Sequence, residues 1–262
     1  MNPNLLMTII LPLLIFCKLN NVNHEIQTSR SDTAFHFSPH EVLVEKIENI
    51  PLPPGYRRIH FDKKSFAVWL RAITIKKDKR VFLYNGELKR NQSAQFVVLD
   101  IPVGNKDLQQ CADAVMRLRA QYLLDQKRYN EISFADNNKR SYAFSSFPGI
   151  SWEQYLEKVY SFCGTLSLEK QLKKVNDFNK MEPGDVLIKG GSPGHAVVIV
   201  DMVINQQGKR LYLLAQSYMP AQDIHVLKNP MDVDLNPWYE LNDKTLINTP
   251  EWVFQTQHLR RW

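Results

Sequence analysis

The stretch Pro183-Gly-Asp-Val-Leu-Ile-Lys-Gly-Gly-Ser-Pro-Gly-His-Ala-Val-Val-Ile-Val-Asp201 decides the reading of this chain. A Pro-Gly-Asp turn opens it, and Val186-Leu-Ile188 follows as a short apolar run. Gly190-Gly-Ser-Pro-Gly194 then leads into His195 and a second run rich in β-branched residues. Two such runs joined by a glycine- and proline-containing connection read as strands of a hairpin. His195 therefore stands at the mouth of a buried strand, directly after a turn. Cys111 lies 84 residues upstream on a helical pattern.

Working outward, strands are expected over Asp185–Ile188, His195–Ile204, Arg210–Gln216 and Asp223–Leu227. The connections Lys189–Gly194 and Asn205–Lys209 are short, so these strands form an antiparallel meander. Register then decides which side chains His195 meets. If the loop is Asn205–Gly208, Ile204 pairs with Lys209 and Gln216 falls opposite Val197, on the face that carries His195. One further loop residue would send Gln216 to the other face. The tail from Pro230 carries Trp238, Tyr239, Trp252, Phe254 and Trp262, and that aromatic density predicts that it packs back on the domain.

Upstream, Asp107–Asp125 reads as the clearest helix. Asp107 can cap it, with Gln110 completing a capping box. Leu108, Cys111, Ala112, Val115, Leu118 and Tyr122 share its apolar face, with Cys111 about one turn in. Further helices are expected over Ser65–Ile73, Trp152–Tyr160 and Leu166–Val175, and a short one near Glu41–Ile50. Gln95–Ile101 reads as a strand. Asn85-Gly86 between two strand-like runs is a hairpin signal, because both turn residues accept positive φ. The fold class is α+β, with helices packed on an antiparallel sheet.

The 262 residues suffice for a substantial core, and the 44% hydrophobic content fits a folded protein. A net charge of +6 favours anionic partners such as cell-wall polymers or lipid headgroups. The basic residues are scattered and no nucleic-acid motif accompanies them, so no nucleic-acid partner is expected. Leu5 to Phe16 is an apolar run of signal-peptide length, too short for a comfortable membrane span. Leu14-Ile-Phe-Cys17 resembles a loose lipobox, with Cys17 the residue that would carry lipid. Residues 1–19 are thus expected to be an export or lipoprotein signal, 20–40 a polar linker, and 41–262 a single globular domain. Contact with a membrane would come only through that signal or lipid anchor, and the location would be the periplasm or cell envelope. No P-loop or dinucleotide fingerprint is present. The one metal-like histidine spacing, His36-Phe-Ser-Pro-His40, falls in the linker, so neither metal nor other cofactor is expected.

A cysteine–histidine hydrolase needs a thiol nucleophile, an imidazole within reach, and a polar group that orients the ring. Cys111 and His195 fit the first two roles, and a helix N-terminus would acidify the thiol. Gln216 or His225 fits the third, and Gln110, beside the cysteine, could help stabilise an oxyanion. Other readings stay open. Cys111 packs equally well as a buried structural thiol, or pairs with Cys163 as a disulfide in an oxidising compartment. His195 could simply bond local backbone. Asp185 reads as a turn-stabilising aspartate rather than an acid catalyst. Asp201 reads as the surface end of a buried strand. Trp69, Arg71, Trp238 and Trp252 either line a sugar or peptide cleft or belong to the core.

Cys111 on a helix, followed by Pro183-Gly-Asp185 and Gly194-His195-Ala-Val-Val-Ile-Val, resembles the order in papain-like peptidases and in cell-wall amidases of the NlpC/P60 and CHAP type. The residues flanking the cysteine, Gln109-Gln110-Cys111-Ala-Asp113, depart from those families, which place small or polar residues at the very start of the helix. More of the chain resembles a narrower, uncharacterised bacterial family, domain of unknown function 4846. That likeness is carried by Asp107-Leu-Gln-Gln-Cys-Ala-Asp-Ala-Val-Met-Arg-Leu-Arg119, the His195 hairpin and Leu213-Leu-Ala-Gln-Ser-Tyr-Met-Pro-Ala-Gln222, and runs from about Ile50 to Trp262. The first resemblance implies a papain-like fold and amide hydrolysis, with peptidoglycan or other envelope components as partners. The second implies an exported domain and no particular activity. The expected function is a cysteine hydrolase of amide bonds, with a non-catalytic envelope lipoprotein that binds peptide or glycan as the alternative.

Overall fold

The computed structural model describes residues 44–262. The expected signal, the linker, Cys17, His36 and His40 lie outside the described residues. Four α-helices are present among the described residues: α1 (Phe66–Arg71), α2 (Cys111–Asp125), α3 (Trp152–Phe162) and α4 (Thr165–Gln171). The early strands are β1 (Tyr56–Arg58), β2 (Gln95–Val98), β3 (Ser133–Ala135), β4 (Ser141–Ala143) and β5 (Lys173–Lys174). The central ones are β6 (Val186–Lys189), β7 (His195–Asn205), β8 (Arg210–Gln216) and β9 (His225–Leu227). The last are β10 (Tyr239–Glu240), β11 (Leu246–Asn248), β12 (Val253–Gln255) and β13 (Leu259–Arg261). None of the helices among the described residues is long and apolar enough to cross a membrane.

The architecture is α+β and sheet-dominated. Nine strands form one sheet in the order β2-β9-β8-β7-β6-β13-β5, with β1 added to β7 and β10 to β8. Every pairing in it is antiparallel. The helices do not form a full second layer over this sheet, contrary to the sequence expectation: three are of 6, 11 and 7 residues, only α2 reaches 15, and α1 and α2 meet the sheet chiefly along β7. Apolar residues divide by strand parity, as a two-period requires. Ala196, Val198 and Val200 join one cluster with Leu70, Val115, Leu118 and Tyr155. Val197, Ile199 and Met202 join a second with Tyr212, Leu214, Tyr239 and Phe254.

The turn before β7 is tightly built. Gly191 adopts φ +113°, open to glycine at little cost. A Cβ on Gly194 would sit 2.4 Å from the Gly191 carbonyl oxygen and 2.5 Å from Thr165 Oγ1, so nothing larger fits. Elsewhere the Asn85-Gly86 turn forms, with Gly86 at φ +84°, but its flanks make isolated bridges rather than strands. Leu83 pairs with Gln222 instead, drawing one flank away. The short helix near Glu41–Ile50 is a single 3₁₀ turn, Ile47–Asn49, and Leu166–Val175 is helical only to Gln171 before turning extended.

Register along β7 and β8 arises from two displacements that cancel. Ile204 pairs with Arg210, so the connection spans Asn205–Lys209, one residue longer than the four-residue loop considered above. Asn205 closes it, with Oδ1 accepting the Gln207 and Lys209 N–H groups at 3.0 and 2.9 Å. Alone, that loop would send Gln216 to the face opposite His195. A bulge between Ile199 and Asp201 inserts one extra residue in β7, so that Val198 pairs with Ala215 and Gln216 returns opposite Val197.

Asp201 sits on this bulge, and it corrects another expectation: it is 0% exposed, in mid-strand, rather than at a surface end. Its two oxygens take Arg58 Nε at 2.8 Å and Arg71 Nε at 2.5 Å. The same guanidiniums bond the carbonyls of Ile50, Ile59 and Met202, so β1, α1 and β7 meet on one carboxylate. Arg71 is thus a structural cation and not part of a cleft. Removing one partner of a buried ion pair typically costs about 3–5 kcal/mol. Asp201→Ala is expected to lose that much stability, read as a lower urea midpoint at unchanged m-value.

Candidate active site

Helix α2 starts at Cys111, later than the sequence pattern indicates. Leu108 and Gln110 are held in tight turns, their N–H groups bonding the Lys106 and Leu108 carbonyls at 2.8 and 2.7 Å. Asp107 does not cap the helix. Its Oδ1 accepts the Ala221 N–H at 2.6 Å and Gln110 Nε2 at 3.0 Å, tying the pre-helix segment to the loop after β8. Asp113 supplies the capping interaction, accepting the Gln110 N–H at 3.0 Å. Cys111 is therefore the first helical residue, where N–H groups have no acceptor in the preceding turn.

Cys111 and His195 line one cleft of about 460 Å³. Gln110, Asp113, Tyr160, Cys163, Tyr218, Met219 and Trp252 complete much of its wall, with the Gly191–Gly194 turn at its rim. The thiol is near enough to the Ala196 N–H, next after His195, for that group to favour the thiolate. The imidazole is held firmly. Nε2 lies 2.8 Å from Gln216 Oε1, and the ring packs on Tyr218, Trp252 and Phe254 at centroid distances of 4.8, 5.4 and 5.8 Å. Nδ1 makes no hydrogen bond to the described residues.

Behind Gln216 lies a layer that sequence reading missed. Gln216 Nε2 donates to Glu251 Oε2 at 2.8 Å, and that carboxylate also takes Lys89 Nζ at 2.6 Å and Asn91 Nδ2 at 3.2 Å. Glu251 reaches this place from a turn between β11 and β12. There the Thr249 N–H and hydroxyl both donate to the Trp252 carbonyl at 2.8 Å. The same turn lays Trp252 against His195. The signal available in the sequence was Thr249-Pro-Glu-Trp252 between two apolar runs, of which only the aromatic residue drew notice.

The other expected site residues fall as follows. His225 is wholly buried on β9, paired with Gln216; Nδ1 bonds the Asp223 carbonyl at 2.9 Å and Nε2 lies 3.5 Å from Gln216 Nε2. It buttresses Gln216 and does not reach His195. Gln110 borders the cleft, but its amide N–H is committed to Asp107. Cys111 and Cys163 both carry free, buried thiols, which removes the disulfide reading. Asp185 clamps Arg261 of β13 through contacts of 2.6 and 2.7 Å, a structural role. Trp238 is core and Trp69 bonds Asp125 away from this cleft, leaving Trp252 as its tryptophan.

Burial dominates the electrostatics. The Cys111 thiol is pushed up to about 11, first by desolvation and then by the nearby Asp113, which outweigh the N–H groups that favour the anion. The expected acidification by the helix terminus is therefore overridden. Desolvation lowers His195 to about 4, partly offset by Gln216, and His225 to about 3. Asp113 is raised well above the usual carboxylate range by burial, and one of its oxygens has no partner. At neutral pH the resting pair is accordingly thiol and neutral imidazole.

A sheet-dominated α+β domain with a cysteine and a buttressed histidine in one cleft defines the class. The chain belongs to the family described as Domain of unknown function (4846), whose model matches residues 47–150 and 148–261. No curated protein and no solved structure matches the chain.

The two depressed histidines fix a stability trend. Below about pH 6.5 the unfolded chain protonates them while the folded one does not, so folding loses stability as pH falls toward 4. Each histidine contributes a slope of up to about 1.4 kcal/mol per pH unit in that window. Urea titrations at pH 7, 6 and 5 are expected to show this fall, with a shallower slope in His195→Asn.

Proposed function

We propose that this protein is a cysteine hydrolase of amide bonds, with Cys111 as nucleophile, His195 as general base and Gln216 as the residue that orients the imidazole. The observation that carries the reading is that one cleft is lined by a helix-initial thiol and an imidazole whose Nε2 is already engaged by Gln216 at 2.8 Å. That engagement leaves Nδ1 to take the thiol proton. As sulfur bonds the carbonyl carbon, the C=O pair moves to oxygen, where the Cys111 N–H at the helix start would receive it. The imidazolium then protonates the departing amine. A water, deprotonated by His195, hydrolyses the thioester and restores the thiol. Because both pKa shifts favour the neutral pair, proton transfer accompanies attack instead of preceding it.

The papain-like arrangement is part of this proposal, as are export and a cell-wall peptide as substrate. The cleft lining holds the carboxylate of Asp107 and the buried Asp113, whose neutral form burial favours, with no lysine or arginine among them. In a chain of net charge +6, that local sign disfavours anionic substrates and suits neutral or ammonium-bearing peptides. A second reading, a non-catalytic envelope lipoprotein that holds peptide or glycan in the same cleft, is favoured by the raised Cys111 pKa.

Turnover of peptidoglycan-derived peptides separates the two. The hydrolase reading expects release of a new amine by the wild type. It expects at least about a hundredfold loss in Cys111→Ala and His195→Ala, with binding and thermal midpoint largely kept. Binding without turnover in the wild type would favour the second reading. Iodoacetamide modification of Cys111 is expected to accelerate from pH 7 up to about 11, following the buried thiol; a rate already on its plateau near pH 7 would contradict the neutral resting pair.

A further inference from the structure

A glutamine amide has two ends of similar shape and opposite hydrogen-bonding sense, so whatever fixes its direction dictates which proton its partner carries. Gln216 is fixed from two sides. Both oxygens of Glu251 serve as acceptors, Oε2 from Lys89 at 2.6 Å and Oε1 from Asn91 at 3.2 Å, so the amino end of Gln216 points to Oε2 at 2.8 Å. His225 makes the same demand. Its Nδ1 faces the Asp223 carbonyl at 2.9 Å, and a carbonyl cannot donate, so the proton is on Nδ1. Its Nε2 therefore offers a lone pair to the Gln216 amino end, 3.5 Å away.

With the amino end committed twice, Oε1 is the end that faces His195 Nε2 at 2.8 Å, and Nε2 must carry the hydrogen. We propose that Glu251 is a positioning residue that, acting through Gln216, holds neutral His195 in the Nε2–H tautomer and leaves the Nδ1 lone pair as the proton acceptor. Its catalytic consequence rests on the hydrolase reading above; the tautomer itself does not. The groups belong to separate segments: Lys89 and Asn91 before β2, Gln216 at the end of β8, and Glu251 on the turn before β12. Lys89 is lowered by burial, and its hydrogen bond to Glu251 opposes that shift.

The change that isolates this role is Glu251→Gln, similar in shape but able to present either an oxygen or an amino group to Gln216. Glu251→Asp keeps an acceptor-only group and serves as the conservative control. The readout is long-range ¹H–¹⁵N NMR of the histidine rings in the full chain at pH 7.5, with His195 assigned by its loss in His195→Gln. The wild type and Glu251→Asp are expected to show the Nε2–H pattern for His195, and Glu251→Gln a mixture with Nδ1–H. Peptide turnover in Glu251→Gln is expected to fall at least about tenfold in kcat with little change in KM, since a wrong tautomer disables the base.

Wild-type protein in the Nδ1–H form overturns the proposal, as does Glu251→Gln left fully Nε2–H. Should Glu251→Gln fail to fold, the wild-type assignment and Glu251→Asp still decide. If the tautomers behave as expected and the wild type hydrolyses no peptide, the hydrolase reading falls while the positioning role of Glu251 stands.

Discussion

One buried carboxylate, Asp201, anchors both the fold and the site. It is wholly shielded from solvent and accepts from Arg58 and Arg71 together, binding β1 and α1 to the central strand β7. An ion of that kind is costly to desolvate and is retained only where its partners are fixed. Asp201 can face those cations because β7 is bulged between Ile199 and Asp201. That inserted residue also shifts every pairing towards the His195 end by one. The structural clamp and the placement of Gln216 beside His195 are two outcomes of a single irregularity in one strand.

Much of this was legible locally and little of it over long range. The hairpin around His195 is written in glycine, proline and β-branched residues, and β7 and β8 fall close to where those residues place them. Gln216 faces His195 as the simple register argument holds, but by a different route: a longer loop and a bulge, each of which would mislead alone. The bulge lies at Ile199-Val-Asp201, where no glycine marks it, so it was invisible to pattern reading. The start of α2 was misplaced because Asp107 has a stronger engagement elsewhere, with the Ala221 N–H at 2.6 Å, which no local pattern discloses. Glu251 and Lys89 were missed for the same reason, being 162 residues apart in sequence.

The site also illustrates how competing terms settle. Helix-terminal N–H groups favour a thiolate at Cys111, while burial and the neighbouring Asp113 oppose it, and the opposition wins. The imidazole experiences the same dry surroundings and loses basicity. A cleft that keeps both partners neutral holds a latent pair rather than a charged one. Under the proposed hydrolase reading, such a pair would react only when a substrate carbonyl creates somewhere for charge to go.

The position of β13 between β5 and β6 has a consequence for how the chain matures. The most C-terminal strand among the described residues is seated inside the sheet, with Arg261 gripping Asp185. The turn bearing Glu251 and Trp252 comes only shortly before it. A nascent polypeptide that has not yet emerged past residue 261 presents two unsatisfied sheet edges and an imidazole with neither cover nor buttress. Closure of the sheet and completion of the cleft therefore both wait on residues 249–261, and a chain cut before them would expose adhesive edges and an uncovered imidazole.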